Sequence, residues 1–474
     1  MAHVLVSAAH KSSGKTTVSI GLCAALRARH LAVQPFKKGP DYIDPMWLGL
    51  AAGRPCYNLD YYTMRPEEIG AMFTAHSAAV DIALIEGNKG LYDGLDLDGS
   101  NSNAALATLL DAPVVLVIDA RGMTRGIAPL ILGYQAFDPD IRIAGVVLNQ
   151  LGGARHEAKL RAVIEHYTGV RVLGAVHRDP ALTIDERHLG LVPSNESTEA
   201  ARLAAALGSR MAEQVDLDAL LGIAAGATAP AFPGAGSEQA PPAGAPVRLG
   251  IMRDSAFGFY YPDDLEALQG RGAELVFIDA LHDRRLPSLD ALFIGGGFPE
   301  THMSELAANT ELKGALREAI SGGLPTYAEC GGLMYLCRSL RWKDRRAEMV
   351  GVIPADAVMC ERPQGRGYVR LAPTGAGPWA DEPTEIAAHE FHYSRLENIS
   401  EPLRYAYHVL RGTGVDGEHD GIVRHNLVAS YTHLRHTSAN PWTDRFVQFA
   451  RRARAGRVSG TSGTGGTSGL AASA

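Results

Sequence analysis

The chain has 474 residues, enough for two domains or three, and 46% hydrophobic residues give each an ample core. Its 45 basic and 52 acidic residues leave a net charge of -7 without a basic stripe, which argues against a nucleic-acid partner. Cys23, Cys56, Cys330, Cys337 and Cys360 form no paired framework, no apolar run reaches membrane-spanning length, and no secretory pattern precedes the first strand, so a soluble cytoplasmic protein is expected.

Val4-Leu5-Val6-Ser7 reads as a buried strand, and Ala9-His10-Lys11-Ser12-Ser13-Gly14-Lys15-Thr16-Thr17 follows it ahead of a helix over 18–29. Strand, loop and helix in that order are the setting of a phosphate-binding loop. Ala9 stands where the strict pattern has its first glycine, and a plain strand-to-helix connection is the alternative. On the nucleotide reading, Ser12, Ser13, Gly14, Lys15, Thr16 and Thr17 bind ATP. The loop N–H groups cradle phosphate oxygens, Lys15 neutralises the β and γ phosphates, and Thr16 ligates Mg²⁺.

A metal beside such a loop takes hard oxygen ligands at the carboxyl ends of parallel strands. The strand at 33–38 stops at Gly39-Pro40 and then displays Asp41 and Asp44, and the strand at 82–85 ends in Glu86. Asp41 and Glu86 are the expected Mg²⁺ ligands with Thr16; the alternative for each is an ordinary solvated loop carboxylate. Apolar runs at 114–119 and 143–149 read as strands covered on both faces. Asn149 is a candidate for reading the nucleotide base, or else a cap or turn residue. A last strand at 172–176 leads to a loop at 190–193 expected to close over the base. Helical patterns lie between these runs, so residues 1–222 read as a parallel α/β sheet.

Residues 223–246 are Ala, Gly and Pro with few large apolar side chains and read as a linker. A second α/β domain is expected over 247–455. There Phe293-Ile294 runs into Gly295, Gly296 and Gly297, whose N–H groups suit a developing oxyanion and a bound glutamine. Pro325-Thr326-Tyr327-Ala328 breaks into Glu329-Cys330-Gly331-Gly332, read as a tight turn before a helix through Leu333, Leu336 and Leu340. A helix N-terminus there favours the Cys330 thiolate, although a lone cysteine in a glycine-rich turn can equally be structural. Ala429-Ser430-Tyr431-Thr432 presents His433 as a general base. His389 and His392 read as structural or interfacial, with metal ligation as the alternative. Residues 456–474 are Gly, Ser, Thr and Ala and read as a disordered tail.

Cys330, the three glycines and His433 together resemble a class I, triad-type glutamine amidotransferase domain. More narrowly, Ala328-Glu329-Cys330-Gly331-Gly332-Leu333-Met334-Tyr335 and His389-Glu390-Phe391-His392-Tyr393-Ser394 are similar to the amidotransferase half of the cobyrinic acid a,c-diamide synthase family. So is the loop Phe257-Gly258-Phe259-Tyr260-Tyr261-Pro262. In the first domain, Phe36-Lys37-Lys38-Gly39-Pro40-Asp41-Tyr42-Ile43-Asp44-Pro45, Asn58-Leu59-Asp60, and Glu86-Gly87 with Gly90-Leu91-Tyr92-Asp93-Gly94 resemble its synthetase half. That half is a branch of the dethiobiotin synthetase-like P-loop group.

The resemblance implies ATP- and glutamine-dependent amidation of the a and c acetates of a polycarboxylate tetrapyrrole, cobyrinic or hydrogenobyrinic acid. A carboxylate does not condense with ammonia at neutral pH. Phosphorylation to an acyl phosphate supplies the leaving group, and Cys330 releases ammonia from glutamine through a glutamyl thioester. Tyr42, Asp44 and Asp93 are then expected near the carboxylate, with Lys37 and Lys38 on the acidic substrate or developing phosphate.

Asn88 and Lys89 depart from the small or apolar residues usual between Glu-Gly and Gly-Leu, and His10, Lys11 and residues 96–103 are also unusual. Sirohaem or sirohydrochlorin, as in the siroamide-forming relatives, is therefore the alternative substrate. His433 is followed by Leu434 and Arg435 where many triad enzymes carry His-x-Glu, so it is expected to work without a carboxylate or to be oriented by the backbone. Competing readings are a partitioning-type P-loop ATPase with an inactive amidotransferase scaffold, and a cobyric acid synthase. Intact Cys330 and His433 argue against the first; Asn58-Leu59-Asp60 and the 90–94 motif argue against the second. Glutamine and a tetrapyrrole are the expected partners, with assembly as a homodimer one expectation.

Overall fold

Runs of Val, Ile, Leu and Ala that are apolar throughout, instead of at alternate positions, are what a parallel sheet covered by helices on both faces requires. The computed structural model describes residues 1–187, 190–228, 232 and 245–461 and divides into two units, Met1–Ser237 and Glu238–Ala474. In the first unit, β1 (His3–Ala8), β2 (Val33–Lys38), β3 (Tyr57–Leu59), β4 (Ile82–Glu86), β5 (Val114–Asp119), β6 (Ile143–Leu151) and β7 (Val172–His177) form one sheet. The order is β3-β2-β4-β1-β5-β6-β7, and every pairing is parallel. Only β3 has no counterpart among the expected strands, because three residues are too few to display a period. The carboxyl ends of β2, β4 and β1 lie side by side, in the crevice where open α/β sheets bind ligands.

The expected base-closing loop begins with Gly190–Leu191, paired antiparallel to Glu186–Arg187. The Trp47 indole N–H donates to the Val192 carbonyl at 2.9 Å and holds its base. At the far end, the helix Leu217–Ala225, capped by the Asp216 carboxylate on Ala219 N–H, runs into the stretch expected to be linker. Residues 229–231 and 233–244 of that stretch lie outside the described residues.

The second unit carries a nine-stranded mixed sheet. Its parallel half runs Ala273–Ile278, Val247–Met252, Ala291–Ile294, Thr326–Glu329, Leu427–Ser430; its antiparallel half continues with His419–Arg424, Arg404–Arg411, Gly365–Pro373 and Ile386–His392. An aromatic cluster backs the central strands, with Tyr327 centred 5.1 Å from both Trp379 and Trp442. The Trp442 indole N–H is satisfied by Asp264 at 2.9 Å.

The helix after Cys330 is shorter than expected. It spans Gly331–Leu336, and Leu340 lies instead in a strand, Cys337–Trp342, of a separate four-stranded sheet. Leu333, Leu336 and Leu340 satisfy helical spacing, but from Cys337 onward the chain pairs in parallel with Ile353–Met359 and is extended instead. The last helix, Trp442–Thr461, continues beyond residue 455; residues 462–474 of the expected tail lie outside the described residues.

Candidate active sites

In the first unit, β1 delivers the chain into the turn before α1 (Lys15–Ala28). Ser12 and Gly14 take left-handed φ values of 67° and 82°, while Ala9 does not, so alanine at the first position carries no backbone strain. A Cβ on Gly14 would lie 2.1 Å from Asn149 Nδ2, and this nitrogen donates to the Ser13 carbonyl at 2.9 Å. Asn149, expected to read the base, is thus tied to the phosphate loop itself. Ser13 Oγ donates to the His10 carbonyl at 2.7 Å, and the Tyr134 hydroxyl donates to the Ala9 carbonyl. Lys15, Thr16 and Thr17 open α1.

Beside the loop lies a buried ionic cluster. Thr16 Oγ1 donates to Glu86 Oε1 at 2.6 Å and to Asp44 Oδ2 at 3.3 Å. Lys37 Nζ is 2.5 Å from Asp44, 3.1 Å from Glu86 and 3.8 Å from Asp41. Burial works against the Lys37 ammonium, but Asp44, Glu86 and Asp41 outweigh it and hold Lys37 above its ordinary value. Burial and neighbouring Lys37 lower Lys15, so the loop lysine gains most from an anion brought to it. Asp41 Oδ1 accepts from Ile43 N–H at 2.9 Å and Asp44 N–H at 3.2 Å, at the start of α2 (Ile43–Ala52). Asp44, expected at the substrate, sits instead among the acids beside Thr16.

Glu86 Oε2 is buried without a hydrogen-bond partner among the described residues, the condition of an oxygen that can take a cation. No group of three His, Cys, Asp or Glu among the described residues is spaced as a metal cage. One or two carboxylates and a hydroxyl are nevertheless the set Mg²⁺ uses when nucleotide phosphates and water complete its shell.

Of the expected substrate residues, Lys38 Nζ donates to Asn88 Oδ1 at 3.2 Å, and burial pulls this lysine down to about 8. Tyr42 is buried at the start of α2. Asp93 is exposed and accepts from Gly90 N–H at 2.8 Å, closing the turn after β4. Asn103, which the sequence marked only as unusual, pins that turn. Its Nδ2 donates to Ser7 Oγ at 3.0 Å and the Gly90 carbonyl at 2.9 Å, and its Oδ1 accepts from Asn88 N–H at 3.1 Å.

In the second unit, three adjacent parallel strands end in the glycines, in Cys330 and just before His433. Cys330 takes φ 47° and ψ -100°, a strained elbow held by its N–H on the Ser430 carbonyl at 2.7 Å. A Cβ on Gly332 would lie 2.3 Å from the Ile294 carbonyl oxygen, and one on Gly331 would lie 2.9 Å from Gly297 N. Both glycines are therefore needed to bring the elbow against the oxyanion loop. Of the three expected glycines, Gly295 has its N–H on the Tyr260 hydroxyl at 2.9 Å. Gly331 N–H, which bonds the Cys330 sulfur, is a donor that sequence reasoning passed over.

Burial pushes the Cys330 thiol well up, Glu300 adds to it, and Gly331 N–H only partly offsets the rise. Burial thus works against the thiolate that the helix N-terminus was expected to favour. Its sulfur faces the Phe391 carbonyl oxygen at 3.9 Å. His433 is 3% exposed, and its Nδ1 lies 3.2 Å from Glu329 Oε2, so the expectation of a histidine without a carboxylate is also corrected.

His389 pairs with His433 through backbone N–H···O contacts of 3.4 and 2.8 Å, and the two rings stack with centroids 4.9 Å apart. His392 uses Nδ1–H on the Ser394 carbonyl at 2.8 Å and stacks on Tyr431. The second histidine motif thus meets His433 through His389 and the Cys330 sulfur through the Phe391 carbonyl.

A nucleotide-binding domain model of the CobQ/CobB/MinD/ParA type matches residues 5–192, and a CobB/CobQ-like glutamine amidotransferase domain model matches residues 248–441. The cobyrinate a,c-diamide synthase of Magnetococcus marinus is 48% identical over 94% of this chain and 97% of its own length. The chain belongs to the cobyrinate a,c-diamide synthase family. Enzymes bearing that name from Methanosarcina acetivorans and Archaeoglobus fulgidus are each 40% identical, over 91% and 95% of this chain and 92% and 97% of their own lengths. Family membership makes the chain a glutamine-dependent amidating ligase with two α/β domains. No helix among the described residues is long and apolar enough to cross a membrane.

Proposed function

We propose that the chain amidates the a and c acetate carboxylates of cobyrinic or hydrogenobyrinic acid with ammonia from glutamine, driving each amidation through an acyl phosphate made from ATP. The observation that carries this reading is the presence, on one chain, of a phosphate loop beside a Thr16, Glu86 and Asp44 cluster and of an elbow cysteine whose preceding residue, Glu329, contacts His433. The names of relatives 40–48% identical along nearly the whole chain support the corrin substrate over sirohaem.

The roles follow from the positions. Loop N–H groups and Lys15 bind the β and γ phosphates. Thr16 and Glu86, with Asp41 or Asp44, would hold Mg²⁺, which neutralises charge on those phosphates when bound. Lys38 offers its ammonium group to the substrate carboxylate or the transferred phosphoryl group, Lys37 holds Asp44 and Glu86 in place, and Tyr42 and Asp93 flank the acetate edge. The hydrogen bond from Lys38 to Asn88 supports a share for Asn88, one departure from the family pattern, in orienting that lysine.

Heavy-oxygen label in the substrate acetates tests the acyl phosphate. The carboxylate oxygen bonded to phosphorus leaves with it, so label appears in inorganic phosphate in step with amide formation. Unlabelled phosphate during turnover would contradict the mechanism.

A further inference from the structure

We propose that Glu329, the residue immediately before the nucleophile, is the carboxylate that positions His433 for catalysis. The inference rests on the glutaminase reading of Cys330 and His433 given above.

Glu329 and His433 are 2% and 3% exposed, and Glu329 Oε2 lies 3.2 Å from His433 Nδ1. The other carboxylate oxygen accepts from Leu434 N–H at 2.9 Å and from the Tyr327 hydroxyl at 2.6 Å. One carboxylate therefore fixes both the ring and the backbone just after it, and Tyr327 fixes the carboxylate. The groups around it are committed elsewhere. Arg435, two residues past the histidine, reaches Asp263 at 3.0 Å and lies over the Tyr261 ring at 4.6 Å. Asp420, another buried acid, accepts from the Tyr431 and Thr432 N–H groups at 3.0 and 2.9 Å, holding the main chain that leads to His433.

A carboxylate carries no proton to share, so Nδ1 is the protonated nitrogen and Nε2 keeps its lone pair. That tautomer takes the Cys330 proton. The sulfur bonds to the glutamine amide carbon, and the C–N bond breaks as Nε2–H passes its proton to the departing nitrogen, giving ammonia and the glutamyl thioester. Water then adds with His433 taking its proton, the C–S bond breaks, and glutamate and the thiol are released. In each half the imidazolium forms against Glu329, a charge-assisted contact between buried groups. The raised Cys330 thiol makes this base necessary.

Glu329→Gln separates this role from mere packing. Its amide oxygen keeps the Leu434 N–H, while its NH₂ faces Nδ1 and forces the proton onto Nε2, the wrong tautomer. Glutaminase kcat should fall by about 10³–10⁴-fold with little change in the KM for glutamine. Histidine nitrogen NMR should move the His433 proton from Nδ1 to Nε2, and ammonia-supported amidation serves as the folding control. A variant with kcat within about tenfold of the parent, or one that loses ammonia-supported amidation as well, would overturn the proposal. Cys330→Ala distinguishes the underlying reading: if it retains glutaminase, that reading fails, whereas an inactive Cys330→Ala beside an active Glu329→Gln defeats this proposal alone.

Discussion

Cys330→Ala abolishes glutamine-supported amidation, a fall of about 10⁴-fold or more, and leaves ammonia-supported amidation running. The split follows from where the chemistry sits. The thiol stands at a strained elbow in the second unit, with φ 47° and its N–H on Ser430, and serves only to free ammonia. The proposed acyl-phosphate step uses groups of the first unit. Steady-state rates with glutamine and with ammonium salts, measured side by side, check this. Parallel loss of both activities would mean that the division of labour is wrong.

Lys15→Ala removes both activities, by about 10²–10³-fold, because no acyl phosphate forms to receive ammonia from either source. Burial and Lys37 already lower the Lys15 ammonium in the absence of an anion, so its charge is poised to be stabilised by phosphate. Glutaminase in the second unit persists in this variant. Retained amidation would refute the phosphate-loop assignment, and the same rate assays with a glutamate-release measurement decide it.

The parts of both sites that follow strand ends were legible in the sequence. An apolar run followed by Gly-Lys-Thr, by Glu-Gly or by Glu-Cys-Gly-Gly signals a side chain at the carboxyl edge of a parallel strand, and each stands at such an edge. Contacts that span the chain were not legible. Glu329 and His433 are 104 residues apart, and the search for an acid two places past the histidine could not find one on a neighbouring strand. Lys37 read as a substrate lysine because sequence does not disclose that Asp44 and Glu86 fold onto it. Asn103 stood out only within an unusual stretch, since a buried amide that pins a loop looks like any polar turn residue. The misread helix beyond Cys330 has a different cause: the leucine spacing fits a helix, and the long-range pairing with Ile353–Met359 that makes it a strand is not visible in the local sequence.

The most direct test of the account is mass spectrometry of the products after incubation with ATP, Mg²⁺ and glutamine, offering cobyrinic or hydrogenobyrinic acid in one reaction and sirohaem or sirohydrochlorin in another. The account predicts that the corrin acid is converted in successive steps to a monoamide and a diamide, each replacing OH by NH₂, while the sirohaem-type substrates are left unchanged. Diamide formation only on the sirohaem-type substrate, or on neither, would contradict it.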